Sequence, residues 1–344
     1  MQDNIQVNVR IKPLDITRPS HELSRCIKQF GESIQIEAKS GIKEFTYDQI
    51  FGPGTPQEEL FKNLGKSAAD IFISGVNTTI IAYGQTGSGK TFSMFGDENN
   101  AGLIPRCMQY IWNYKCEHQE INFLLSCNMI EIYNETIIDL LDPNTPTLIM
   151  RVDMKKGGYV EGEEIQVDTL EDILNTIQVG FNHRHIASTR MNESSSRSHA
   201  IFSLTLETQL INSEKMELKK KSKFTFVDLA GSERQKESGA VGDRIKEAGT
   251  INKSLSALSK VIMQLVDIAM SRNKGNKFVS YRDSKMTCLL KDSLGGNSKT
   301  FMICNISQEK QCLEESVSTL DFARRCKCIK NNPIVNEELN YSIE

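Results

Sequence analysis

Residues Gly84-Gln85-Thr86-Gly87-Ser88-Gly89-Lys90-Thr91 fit the pattern G-x-x-x-x-G-K-[ST], a spacing suited to cradling the phosphates of a nucleotide. The glycines let successive backbone N–H groups turn inward as an anion nest that side chains would block. Lys90 brings a point charge to the β- and γ-phosphates, and the Thr91 hydroxyl is a ligand for Mg²⁺. At ~7% glycine, a chain of this length shows the pattern by accident only about once in a hundred.

A phosphate loop binds but does not by itself hydrolyse; a metal anchor and groups that sense the γ-phosphate are also needed. Asp228 ends a hydrophobic strand and suits a metal anchor acting through water. Gly231, in Leu229-Ala230-Gly231-Ser232-Glu233, suits a backbone N–H on the γ-phosphate, where a side chain would obstruct approach. Asn192-Glu193-Ser194-Ser195-Ser196-Arg197-Ser198-His199 supplies hydroxyls and a guanidinium. Taken alone, such a serine cluster is more often a helix cap or loop. Asp228 alone is a strand-end turn residue about as often as a metal anchor.

These residues need a scaffold. Asn4–Ile11 alternates as a half-buried strand should, and Pro13 ends it. Phe45–Asp48 reads as a second strand. Gln57–Ser74 reads as a helix with Leu60, Phe61, Leu64, Ala68, Ile71 and Phe72 on one face. The β-rich run Thr78–Tyr83 then enters the phosphate loop, and a helix leaves it, its positive end toward the phosphates. Further strands are expected over Ile121–Tyr133, Ala200–Gln209, Phe224–Asp228 and Lys299–Ile306. Helices are expected from Ile104, over Leu170–Ile186, Asn252–Ala269 and Glu314–Lys330. Lys219–Lys223 reads as a solvated hairpin edge that blocks pairing. Alternating helices and strands describe one α/β domain with helices on both faces of the sheet, followed by a short extended tail.

Composition limits the function classes. The 344 residues carry a formal net charge of −3, with 39% hydrophobic and 25% charged residues. This argues against a nucleic-acid binder held by its overall field, though not against a local basic face. No apolar run approaches the roughly 18 residues of a membrane span, and Met1-Gln2-Asp3-Asn4 opens no signal segment. The nine cysteines are scattered without a C-x-x-C pair, which reads as free thiols in a reducing compartment, the cytosol by default. His183 and His185 read as surface residues of a basic helix.

The loop Gly84–Thr91, the run Asn192-x-x-Ser195-Ser196-Arg197-Ser198-His199 and Asp228-Leu229-Ala230-Gly231-Ser232-Glu233 together resemble the phosphate loop, switch I and switch II of kinesin motor domains. The resemblance continues through Arg10-Ile11-Lys12-Pro13, Glu131-Ile132-Tyr133-Asn134-Glu135, Asn252-Lys253-Ser254-Leu255-Ser256-Ala257-Leu258, Tyr281-Arg282-Asp283-Ser284-Lys285 and Asp292-Ser293-Leu294-Gly295-Gly296-Asn297. It implies a kinesin-like P-loop fold, with a central, mainly parallel twisted sheet and helices on both faces. Residues 1–329 would form the motor domain and 330–344 the neck linker and start of the neck.

By similarity, Arg10, Lys12 and Pro13 border the adenine of ATP, with Phe92 near the base; Lys12 stands where the family usually has arginine. Gly84, Gln85, Thr86, Gly87, Ser88, Gly89 and Lys90 hold the phosphates. Thr91 and Ser196 coordinate Mg²⁺, with Asp228 behind them through water. Arg197 and Glu233 pair when the switches close, Gly231 senses the γ-phosphate and Asn192 holds closed switch I. The microtubule face includes Arg234, Lys236, Lys246, Asn252, Lys253, Arg282 and Lys285, with further charge from Arg272, Lys274 and Lys277. Cys288 departs from the family's usual arginine in a way that bears on microtubule affinity.

The resemblance also implies direction. The motor begins almost at residue 1, and Lys330-Asn331-Asn332-Pro333-Ile334-Val335-Asn336-Glu337 resembles the neck linker of N-terminal, plus-end-directed kinesins. Asn336 would be its latch and Asn4–Val9 the cover strand. Lys39–Lys43 is too short for the finger of microtubule depolymerases. Gly231–Lys236 and Ala187–Thr189 lean toward the spindle-associated kinesin-12 branch. The expectation is an ATP-driven microtubule motor of the cytoplasmic cytoskeleton and spindle, without nucleic acid or membrane as partner. Homodimerisation is expected only through a coiled coil beyond this chain. Two alternatives are a catalytically weak microtubule tether, against which the intact Lys90, Thr91, Ser196, Arg197 and Glu233 argue, and a small-molecule P-loop enzyme, which leaves the basic face unexplained.

Overall fold

The computed structural model describes residues 3–14, 27–38, 41–142, 144, 147–153, 157–162, 164–190, 196–211, 216–233, 243–271 and 278–341. Chain order begins with β1 (Asp3–Asn4), β2 (Gln6–Lys12), β3 (Ile27–Phe30), β4 (Ser33–Ala38), β5 (Gly41–Thr46) and β6 (Gln49–Phe51). The helix α1 (Gln57–Leu60) runs through a π-helical turn, Phe61–Gly65, into α2 (Lys66–Ile73). Next come β7 (Thr78–Tyr83), α3 (Lys90–Met94), α4 (Leu103–Glu117), β8 (Asn122–Tyr133) and β9 (Thr136–Asp139). A hairpin of β10 (Met150–Asp153) and β11 (Gly157–Val160) precedes β12 (Ile165–Val167) and α5 (Leu170–Arg190). The long strands β13 (His199–Ile211) and β14 (Met216–Asp228) follow, then α6 (Asp243–Met270), α7 (Lys285–Leu289), β15 (Lys299–Ser307) and α8 (Leu313–Cys326). The tail forms β16 (Lys330–Asn331) and β17 (Glu337–Tyr341).

The central sheet has the order β12-β8-β13-β14-β7-β15-β2-β6. It is mixed: the half from β14 to β6 is parallel, and β13, β8 and β12 join antiparallel. In its middle, β7 is buried along its whole length, and its side chains alternate between two cores. Ile80 and Ala82 face α2, α4 and α5, where Phe72, Met108 and Ile177 lie. Ile81 and Tyr83 face α6 and α8, where Leu258, Val261, Ile262 and Leu320 lie. Burying a side chain of this size contributes about 1.5–3 kcal/mol, against helix preferences that differ by less than about 1 kcal/mol per residue. Packing, more than propensity, therefore holds these helices on the sheet.

Several expectations are corrected here. The alternating strand near the N-terminus is buried on both faces, because β2 lies between β15 and β6 with helices above and below. Its polar positions, Asn8 and Arg10, are buried and hydrogen-bonded; the Asn8 amide donates to Met302 O at 3.3 Å. Of the N-terminal stretch expected as a cover strand, Asn4–Val9, only Asn4 pairs with the tail in a strand, where β1 meets β16. Phe45 and Asp48 do not share one strand: β5, in a small sheet with β3 and β4, ends at Thr46, and Asp48 lies in the bend before β6, which pairs with β2. The lysine run lies inside β14, not at a hairpin edge. Lys221 pairs with Glu207 of β13, and Lys219 and Lys220 stand opposite Glu338 and Glu337 of β17. Opposite charges across strands turn a segment expected to repel pairing into one that attracts it. The long helix starts at Asp243, well before Asn252, and the last helix ends at Cys326, so that Lys330 enters a strand.

Candidate functional site

Strand register assembles the site. Asp228 pairs with Ala82, so the segment after β14 lies beside the loop after β7; Ala200 pairs with Asp228, which brings Ser196–Ser198 to the same edge. All three segments meet at the carboxyl ends of parallel strands, where open α/β sheets bind ligands.

The loop needs its glycines. Gly84 has φ +147, and a Cβ there would lie 2.1 Å from Asn305 O; Gly87 and Gly89 have φ +75 and +97. Ser88 Oγ donates to Gln85 O at 2.8 Å. Lys90 Nζ donates to Gly84 O (2.8 Å) and Gln85 O (2.9 Å). Burial pushes the Lys90 pKa down, opposed by Asp228 and Glu233, so anionic phosphates would stabilise its charge. Asn305 closes the loop from β15, its amide donating to Gly89 O (3.2 Å) and Ser93 Oγ (2.9 Å).

The Thr91 hydroxyl donates to Asp228 Oδ2 at 2.7 Å. Asp228 Oδ1 is buried without a hydrogen bond among the described residues. A hydroxyl with free lone pairs beside an unmatched carboxylate oxygen fits a hard cation such as Mg²⁺, completed by water and phosphate oxygens. Ser196, half-buried on the turn before Ser198, lies in the segment facing this pair.

The two switch segments touch. Gly231 N donates to Ser196 O at 2.9 Å, and Ser232 N to Gly84 O at 3.1 Å. The Glu233 carboxylate accepts from Thr86 N at 2.8 Å and from the Thr86 hydroxyl at 2.5 Å. A Cβ on Gly231 would lie 2.2 Å from Thr86 Oγ1, so glycine is required for this approach. Arg197 is half-buried in the same turn as Ser196. Asn192 lies outside the described residues.

A cleft of about 320 Å³ adjoins the loop, lined by Arg10, Lys12, Pro13, Gln57 and Phe92 among others. Arg10 forms its wall: the guanidinium donates to Gln57 Oε1 (2.8 Å), Ser93 Oγ (2.9 Å) and Thr55 O (3.2 Å) and lies 5.3 Å from the Phe92 ring centre. Burial lowers its pKa to about 10. Lys12 Nζ donates to Gly87 O at 2.9 Å, tying this strand end to the phosphate loop.

One further residue, Arg184, escapes the motif reading, and two histidines take places it did not give them. Arg184 Nη1 contacts Asp228 Oδ2 at 2.6 Å, Nη2 donates to Ser198 O at 3.3 Å, and Nε lies 3.9 Å from Glu131 Oε1. Burial raises the Glu131 pKa, opposed by Ser198 and Arg184. This guanidinium thus holds both switch segments and β8. Its neighbour His183, read as a surface residue, is half-buried and bonds Leu140 O at 2.8 Å, so it packs inward; the His185 side chain lies outside what the structure describes. His199 Nδ1 accepts from Ala230 N at 3.0 Å, which leaves Nε2–H to donate to Ser254 Oγ of α6 at 2.8 Å. Burial lowers the His199 pKa to about 3, so the ring is neutral.

Of the residues expected on the basic face, Lys253 is exposed on α6, Arg282 is exposed in the short turn Tyr281–Asp283, and Lys285 opens α7 half-buried. Lys246 and Asn252 lie on α6. Arg234, Lys236, Arg272, Lys274 and Lys277 lie outside the described residues. Cys288 is buried, with its Sγ 3.0 Å from where a Gly158 Cβ would sit, so it packs against β11. In the tail, Asn336 N donates to Gly75 O at 2.9 Å. The Asn336 amide donates to Gly75 O (3.2 Å) and Asn77 Oδ1 (3.3 Å), and its Oδ1 accepts from Asn297 (2.9 Å).

The family model described as the kinesin motor domain matches residues 10–329. A kinesin-like protein KIF15 of Strongylocentrotus purpuratus is 43% identical over 351 residues, covering 98% of this chain and 24% of that protein. The kinesin-like protein KIN-12C of Arabidopsis thaliana is 44% identical, covering 97% of this chain and 17% of that protein. The chain thus spans a quarter or less of these relatives, which agree with the lean toward the kinesin-12 branch. Among solved structures, a fast kinesin superposes with a TM-score of 0.88 at 35% identity, covering 97% of this chain and 94% of that one. A KIF14 dimer in a two-heads-bound state, with AMP-PNP and in complex with a microtubule, gives 0.87 at 34%, covering 98% and 97%. With the family model matched over residues 10–329 and relatives and solved kinesins aligned over nearly the whole chain, the chain belongs to the kinesin motor domain family.

Proposed function

We propose that this chain hydrolyses ATP with microtubule stimulation and converts switch closure into docking of its tail, moving toward the microtubule plus end. The observation that carries the reading is the reach of one strand. At one end of β14, Asp228 meets Thr91; at the other, Met216–Lys220 pairs with the tail. Nucleotide and tail therefore act on a single rigid element.

In this reading Lys90 and the loop amides bind the phosphates, Arg10, Lys12, Pro13 and Phe92 border the base, and Thr91, Ser196 and Asp228 hold Mg²⁺. The bound ion would neutralise charge on the transferred phosphoryl group. Gly231 N–H leaves Ser196 O for the γ-phosphate, and Glu233 leaves Thr86 to pair with Arg197. That ion pair acts as a two-position latch, since opening it strands a charge. Asn336 holds the docked tail, residues 330–344 serving as neck linker after a motor of residues 1–329. Lys253, Arg282 and Lys285, with Arg234, Lys236, Lys246 and Asn252, meet the acidic track, in the cytoskeleton and the spindle. A coiled coil outside this chain would supply the dimer.

Gliding of polarity-marked microtubules over the immobilised chain tests the proposal. ATP-dependent gliding with minus ends leading is expected. Microtubules that bind but stay still with ATP would indicate a tether.

A further inference from the structure

The segment Glu131-Ile132-Tyr133-Asn134-Glu135 reaches the nucleotide site through Glu131 alone. Its other end is a two-residue turn between β8 and β9, closed by the pairing of Tyr133 with Thr136. Asn134 and Glu135 have φ of 51 and 58, and among the described residues they are the only non-glycines in the left-handed region. Turns of this kind favour asparagine followed by glycine. Asn134 complies; Glu135 keeps a side chain where glycine fits more easily. Retained strain of this sort points from geometry to function.

Glu135 Oε2 accepts the backbone N–H of Lys285 at 2.8 Å, across 150 residues of chain. The contact is charge-assisted and made to the main chain, so it fixes the segment and not one flexible lysine side chain. Lys285 opens α7 directly after the turn that displays Arg282. The second oxygen, Oε1, is buried without a hydrogen bond among the described residues. A turn serving only to reverse the chain has no need of that desolvated oxygen. We propose that Glu135 is a positioning residue for the basic docking face: it pins Arg282–Lys285 to the strand that also carries Glu131, and so sets affinity for the acidic track. This rests on the microtubule reading above.

Two variants of the whole chain separate the possibilities. Glu135→Gly removes the contact and relieves the turn; Glu135→Gln keeps an oxygen that accepts the Lys285 N–H. Glu135→Gly should leave the thermal midpoint within about 2 °C of wild type, because relief of the turn offsets loss of the hydrogen bond. It should raise the microtubule concentration for half-maximal ATPase about three- to tenfold, with the saturated rate within about twofold. Glu135→Gln should stay within about twofold of wild type in both readouts. Half-saturation in Glu135→Gly equal to or tighter than wild type overturns the inference, as does an equal loss in both variants. Wild-type turnover indifferent to microtubules overturns the functional reading itself, and this inference with it.

Discussion

Among single residues, Arg184 shows where motif reading stops. It sits in a stretch that looks basic and solvated, yet it follows Ile173, Ile177 and Gly180 on the buried face of α5. A cation at an apolar-face position was the available signal. Asn305 is the same kind of case, a polar residue inside the apolar run Phe301–Ile306. His199 was legible as part of a motif, but not as the neutral ring joining Ala230 to Ser254. Its pH behaviour can be stated with sign. The folded state keeps the ring unprotonated down to about pH 3, whereas the unfolded chain binds a proton below its ordinary value of 6.5. As pH falls from 6.5 toward 3, the unfolded state binds more protons and stability declines. Between pH 7 and 5, wild type should therefore lose about 2 kcal/mol more than His199→Gln. Urea denaturation at the two pH values measures this, and parallel losses would contradict it.

At the scale of elements, β14 and the tail carry the argument. The lysine run read as an edge because charge was visible in the sequence, while two of its acidic partners, Glu337 and Glu338, lie more than a hundred residues away. Non-local pairing of that kind leaves no local periodicity to find. Asn336, by contrast, was singled out through the resemblance, and its side chain meets Gly75, Asn77 and Asn297. Asn336→Ala removes those contacts and leaves the β-pairing alone. Because a hydrogen bond contributes about 0.5–1.5 kcal/mol net, protection of the Glu337–Tyr341 amides from hydrogen exchange should fall at least about two- to twelvefold. Unchanged protection would show that pairing with β14 holds the tail without the latch.

For the whole molecule, the α/β class and the phosphate loop were readable because strand, glycines and helix are contiguous there. The antiparallel half of the sheet was not, since partners such as β8 and β13 are joined only by register. The buried β2 misled for a physical reason: Arg10 lines the cleft and Asn8 bonds to Met302 O of the next strand, so buried polar positions mimic a solvent face. One domain places a nucleotide site at the carboxyl edge of the sheet and a docked tail at the far end of β14. Lys253 and Arg282 lie exposed on α6 and on the turn before α7. A field of such charges acts over a Debye length and weakens with salt. The most direct test is ATP hydrolysis with and without polymerised microtubules, at low and moderate salt. Strong stimulation that fades as salt rises is the expected result; turnover indifferent to microtubules at both salt concentrations would contradict the motor.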